Sequence, residues 1–235
     1  MIPKVSRWFH TVRHLRPVQI YGRVWFRLYR PSIDLSTTPA VRPMSGVWKL
    51  PASRKQSLLY PWVFRFLNEE RALVAPKDWD DPAVDNLWRY NLHYFDDLNA
   101  EGAQSRTGWH KSLLARWILE NNPAKGTGWE PYPTSLRIVN WIKWALAGNA
   151  MPEECLHSLM VQARWLSRRL EIHLLGNHLF SNAKALVFAG LFFSGTEADK
   201  WLDTGLRILA REIPEQILCD GGLLSSDSRA AKICS

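Results

Sequence analysis

Cysteine is scarce in this chain of 235 residues: Cys155, Cys219 and Cys234 lie far apart and no two share a CxxC spacing. That excludes a disulfide framework and a zinc ribbon, and no metal site is expected. Long apolar runs are missing too; none approaches the ~20 residues a membrane-spanning helix needs. No basic-then-apolar-then-small pattern opens the chain, so it reads as unexported and cytoplasmic as written. There is no Gly-rich phosphate cradle, no GxSxG and no HExxH. No nucleic-acid recognition motif is present either, so neither a cofactor nor a nucleic-acid partner is expected.

Negative charge is also short. The net charge is +8, and the excess is uneven. Lys4, Arg7, Arg13, Arg16, Arg23, Arg27 and Arg30 occur in the first thirty residues without one Asp or Glu. Trp8, Phe9, Tyr21, Trp25, Phe26 and Tyr29 are interleaved with them, partly at helical spacing. Such a segment suits docking on the protein body or peripheral contact of residues 1–30 with an anionic membrane surface.

What is abundant is tryptophan, thirteen in all. Trp88, Trp117, Trp141, Trp144, Trp165 and Trp201 stand at helical core spacing, so each is expected to fill the interior. Residues 1–82 form a basic aromatic segment and an irregular Pro-rich connector, in which "LLYPWVFRFLNEERAL" can pair as strands. From residue 83 to 222 the pattern is helical. "AVDNLWRYNLHYFDDLNA" places Leu87, Tyr90, Asn91, Tyr94, Phe95 and Leu98 on one face. A helix then runs to Pro123, and another starts at a Thr134 or Ser135 cap and stops at Gly148-Asn149. A fourth runs from Pro152 to Gly176, a fifth to Gly195, and a sixth is bent at Pro214. Short links make neighbours antiparallel. The expectation is an all-α fold of helical hairpins curled into an incomplete α/α toroid, with a compact bundle as the alternative.

Two links carry unusual chemistry. "NPAKGTGWEPYPTSLRIVNW" clusters Trp129, Glu130, Tyr132 and Arg137, either as a rigid loop with Trp129 in the core or as a cleft wall. In "HLLGNHLFSNAKAL", Gly176 can take a left-handed cap and Asn177 can cap the next helix. That leaves His173 and His178 flanking the turn, five apart and so not on one helical face.

"NLHYFDDL", "WEPYPTSLRIVNWIKW", "HLLGNHLFSNAKAL" and "EQILCDGG", in that order, resemble the helical domain of the heparinase II/III family of polysaccharide lyases, from about Val5 to Gly222. The resemblance implies an α/α toroid followed by a β-sandwich, and β-elimination at a uronic acid in an acidic polysaccharide. It carries over Asn177 as support for the uronate carboxylate and His178 as a second catalytic residue. His173 is a further candidate for substrate contact, and Trp129, Glu130, Tyr132 and Arg137 are substrate-binding candidates by their position in the cleft wall only. It also makes a periplasmic setting an alternative. In the family a His-Phe-Glu-x-Ser-Pro-Met-Tyr-His-like stretch, whose Tyr is base and acid, follows Asp-Gly-Gly. Here "LLSSDSRAAKICS" follows, residues 223–235 resemble nothing in the family, and no Tyr occurs after Tyr132. The expectation is a chain truncated or frameshifted near Gly222, with little or no lyase activity. The alternative function is non-catalytic binding of acidic carbohydrate.

Overall fold

The computed structural model describes residues 17–44, 46–49, 54–174 and 176–216. Trp8, Phe9, most of the basic N-terminal cluster and the tail from 223 to 235 lie outside the described residues. Those described form a mostly helical protein: α1 (Pro17–Leu28), α2 (Asn86–Tyr94), α3 (Thr107–Glu120), α4 (Pro131–Leu146), α5 (Glu153–Ser167), α6 (Gly176–Phe192) and α7 (Thr196–Gln216). The apolar stretch in the connector does pair, as an antiparallel sheet in the order β1 (Leu58–Tyr60), β2 (Val63–Phe66), β3 (Glu69–Ala72). No helix among the described residues is long and apolar enough to cross a membrane.

The helix after residue 83 is shorter than its pattern suggests and is turned on its axis. Asp85 caps α2, accepting from the backbone N–H groups of Leu87 and Trp88. Phe95 then takes a left-handed conformation, φ 61°, and a single 3-10 turn follows (Asp96–Asn99). Val84, Trp88, Leu92 and Phe95 are buried, whereas Leu87, expected inside, is 51% exposed. The small sheet decides this. Trp88 meets Phe66 edge-on at 5.2 Å and donates its indole N–H to Glu69 O, so the side of α2 that carries Trp88 faces inward.

Two helix boundaries also differ from expectation. α4 starts at Pro131, where proline loses nothing because the first-turn N–H groups have no helical partner. Thr134 and Ser135 therefore lie inside the helix, and their hydroxyls donate back to Gly128 O and Pro131 O. α5 ends at Ser167 rather than near Gly176. There the chain is drawn off by Arg164, Arg168 and Arg169, which bond Ser36 O, Ser32 O and Phe26 O of the N-terminal segment. Arg164 also pairs with Glu197 at 2.7 Å.

The six tryptophans expected inside are all buried. Trp117 is central: Trp129 and Trp141 lie 5.7 Å away and Phe95 6.3 Å. α6 and α7 pack closely because each offers a glycine: a Cβ on Gly190 would sit 2.6 Å from Ala198 O, and one on Gly205 2.7 Å from Ala183 O. α1 docks on the body through Gly22, against His173, and Phe26, which lies beneath the Arg169 guanidinium at 3.7 Å. Its other side, with Ile20, Tyr21, Val24, Trp25 and Leu28, stays exposed.

Candidate functional site

The start of α6, the start of α4 and the end of α2 meet in one place. Gly176 has φ 57°, so the left-handed residue expected there is present, but it opens α6 instead of closing α5. Asn177 follows in the first helical turn. Its side chain is not a cap; the amide Nδ2 donates to the Tyr132 hydroxyl at 3.0 Å. Tyr132, one residue into α4, packs its ring on His178 with centroids 4.4 Å apart. Tyr94, the last residue of α2, meets Tyr132 edge-on at 6.1 Å. One turn earlier on α2, the Tyr90 hydroxyl donates to Glu130.

Behind this surface is a buried polar clamp. His178 Nδ1 lies 3.1 Å from Glu171 Oε1. Facing a carboxylate, a neutral imidazole must donate from that nitrogen, which leaves Nε2 as an acceptor. Glu171 is held by Asn182, which is fully buried: the Asn182 amide donates to Glu171 Oε2 at 3.1 Å and its oxygen accepts the Glu171 backbone N–H at 2.8 Å. Asn182 also donates to Ser135 Oγ, tying the clamp to α4. Every polar atom of Asn182 thus has a protein partner, as a buried amide requires.

Burial raises the pKa of Tyr90 above the usual phenol value, and the Glu130 carboxylate raises it further. Burial and the neighbouring tyrosines do the same for Tyr94. Both stay protonated donors at neutral pH.

The expected site residues divide into two groups. Asn177, His178, Tyr132 and Glu130 are brought together at the surface. Trp129 and Arg137 are in the core instead. Trp129 is 3% exposed, donates to Asn121 O and accepts the Trp165 indole N–H on its own carbonyl. Arg137 has no exposure, so it can neither pair with Glu130 nor face a ligand. Its guanidinium lies 3.9 Å over the Trp117 ring and donates to Gln162, His93 O and Thr134. His173 is also turned away: it is 8% exposed, its ring packs on Phe26 of α1, and burial lowers its pKa. Tyr90, Tyr94, Glu171 and Asn182 were not among the expected site residues. The two tyrosines are four apart on one helix, a visible signal that a core reading absorbs. Glu171 and Asn182 meet only through a turn whose shape the sequence does not reveal.

The family model for the heparinase II/III N-terminus matches residues 104–226, just over half of the chain. The chain belongs to the heparinase II/III family. Two curated relatives are similar to it. A heparin-sulfate lyase from Bacteroides thetaiotaomicron is 28% identical over 172 residues, covering 63% of this chain and 23% of the relative. A heparin-sulfate lyase from Bacteroides stercoris is 26% identical over 185 residues, covering 62% and 27%. The chain therefore spans about a quarter of the length of these relatives. No solved structure matches it. The segment matched to the family contains Tyr132, Asn177, His178 and their clamp, while Tyr90 and Tyr94 come from outside it.

Proposed function

We propose that the cluster of Asn177, Tyr132 and His178 is the uronate-binding side of a polysaccharide lyase site acting by β-elimination, set on the inner arc of an incomplete α/α toroid. The observation that carries this is the Asn177–Tyr132 hydrogen bond. Because the tyrosine oxygen accepts from Asn177, its own proton and the second amide proton of Asn177 have no partner among the described residues. Two donors then face the space beside His178.

That is what the reaction needs. The C5 proton of a uronate is a poor acid while its carboxylate keeps full charge. Donors aimed at the carboxylate stabilise the enolate that forms when the proton leaves. His178, oriented through Nδ1 by Glu171, presents Nε2 as a proton acceptor. An acid must still protonate the departing O4. The resemblance assigns that role, and removal of the C5 proton with it, to a tyrosine in a stretch beyond Gly222 that residues 223–235 do not contain, so His178 is an alternative proton acceptor to that tyrosine. The 235-residue polypeptide by itself is therefore proposed to bind acidic polysaccharide and to cleave it slowly or not at all, since losing one member of a cooperating set costs orders of magnitude in rate.

The test is binding of a uronate-containing polysaccharide at increasing salt, with Asn177→Ala alongside. A hydrogen bond to a charged group contributes about 1.5–3 kcal/mol, so the variant should bind about ten- to a hundredfold more weakly. Salt-insensitive binding, or an Asn177→Ala variant with unchanged affinity, would refute the site. Rapid release of unsaturated uronides by this polypeptide would refute the assignment of O4 protonation.

A further inference from the structure

Beyond the Asn177 cluster, the polar face of α4 continues through Asn140 to Lys143, and that of α6 through to Lys184. At 1.5 Å rise per residue, Lys184 lies about 10 Å along α6 from Asn177, and Lys143 about 16 Å along α4 from Tyr132. Both lysines are half-buried. Neither ammonium has a hydrogen bond or ion pair among the described residues. Asp96, a carboxylate whose charge acts on both lysines, already has partners: Oδ1 accepts from Asn140 at 2.8 Å, and Oδ2 accepts from Arg54. Asn140 is held in turn, donating to Tyr94 O at 2.8 Å and accepting from Asn99. Arg54 is set by a backbone bridge to Ala100. Lys143, Lys184 and Arg54 thus share one carboxylate, each of whose oxygens already accepts a hydrogen bond.

We infer that Lys143, Lys184 and Arg54 form an anion subsite, separate from the Asn177 cluster, that holds a sulfate or carboxylate on a neighbouring sugar of the same polysaccharide chain. This rests on the proposed function for the polymer, but on different residues. Burial lowers the pKa of both lysines, and the neighbouring cations lower that of Lys184 further. Partly desolvated like charges oppose folding, so the arrangement stabilises a bound anion at the expense of the empty protein. Lys200 on α7 is an exposed cation and contrasts with them.

The experiment uses the whole chain and two size-matched uronate oligosaccharides, one sulfated and one desulfated. Binding and thermal unfolding are measured for wild type, Lys143→Met/Lys184→Met and Lys200→Met. The double variant should bind the sulfated probe at least tenfold more weakly, with a shallower salt dependence, and should melt no lower than wild type. Lys200→Met should match wild type. Weakening confined to the sulfated probe assigns the anion to sulfate; equal weakening of both assigns it to a second carboxylate and still supports the subsite. Unchanged binding of both probes by the double variant would overturn the subsite and leave the Asn177 reading standing. So would weakened binding accompanied by a lower melting temperature, since the lysines would then be structural. Failure of the wild type to bind either probe would overturn both readings.

Discussion

His93 provides a sharp test of the interior on which the site stands. It is fully buried on α2, stacked on Trp79 with centroids 5.5 Å apart. The indole N–H of Trp117 donates to its Nδ1 at 3.0 Å, and its Nε2 lies 3.0 Å from Trp79 O. An indole can only donate, so Nδ1 accepts and Nε2 carries the single proton. Burial, and then the Arg137 guanidinium, push its pKa down to about 3. The unfolded chain has a histidine near the ordinary 6.5. Between those values the unfolded state binds a proton that the native state refuses, so stability falls as pH falls, by about 1.4 kcal/mol per pH unit. From pH 6.5, where the unfolded histidine is already half protonated, to pH 4.5 the loss is about 2.3 kcal/mol, a large share of a typical total of about 5–15 kcal/mol. Glutamine can donate to Trp79 O and accept from Trp117 but does not titrate. His93→Gln should therefore cost about 1–2 kcal/mol at pH 7 through imperfect hydrogen bonds. At pH 4.5 it should equal or exceed the wild type. Urea unfolding followed by tryptophan fluorescence at the two pH values measures both gaps. Asp97 is held below the usual carboxylate value because hydrogen bonds from His110, Arg106 and the backbone outweigh its burial. Its acid loss has the same sign and cancels in the comparison. An equal gap between wild type and variant at pH 7 and pH 4.5 would refute the reasoning.

Two further outcomes are expected. A Cβ at Gly128 would lie 2.6 Å from His93 Nδ1. Gly128→Ala should therefore destabilise by about 1–3 kcal/mol, read as a lower urea midpoint. Asn182→Ala leaves the Glu171 backbone N–H and one carboxylate oxygen unpaired in a buried place. It should cost about 1–3 kcal/mol. It should also weaken acidic-polysaccharide binding measured by calorimetry under conditions where the variant is still folded, because His178 loses its support; a destabilised variant with wild-type affinity would show that the clamp does not serve the site.

The helical class, the order of α2 to α7 and the interior place of six tryptophans were legible in the sequence, because periodicity and cap residues are local. The strands at 58–72 were legible for the same reason. Which side of α2 faces inward was not, because Trp88 answers to a sheet some twenty residues earlier in the chain. The end of α5 was not either, since three arginines choose carbonyls of a distant segment over a further helical turn. At the site, the order of motifs carried Asn177, His178 and Tyr132 to the surface where they meet. The same motifs also pointed to Arg137 and Trp129, which share their loop and helix but face inward, because one residue along a helix turns a side chain by about 100°. Glu171 and Asn182 meet through the turn before α6, and the bond from Asn182 to Ser135 depends on how α4 and α6 lie together. Sequence by itself determined the elements and the family to which they belong. Only the tertiary structure decided which polar side chains face one another, since those contacts join residues seven to forty-seven positions apart through packing that no local pattern encodes.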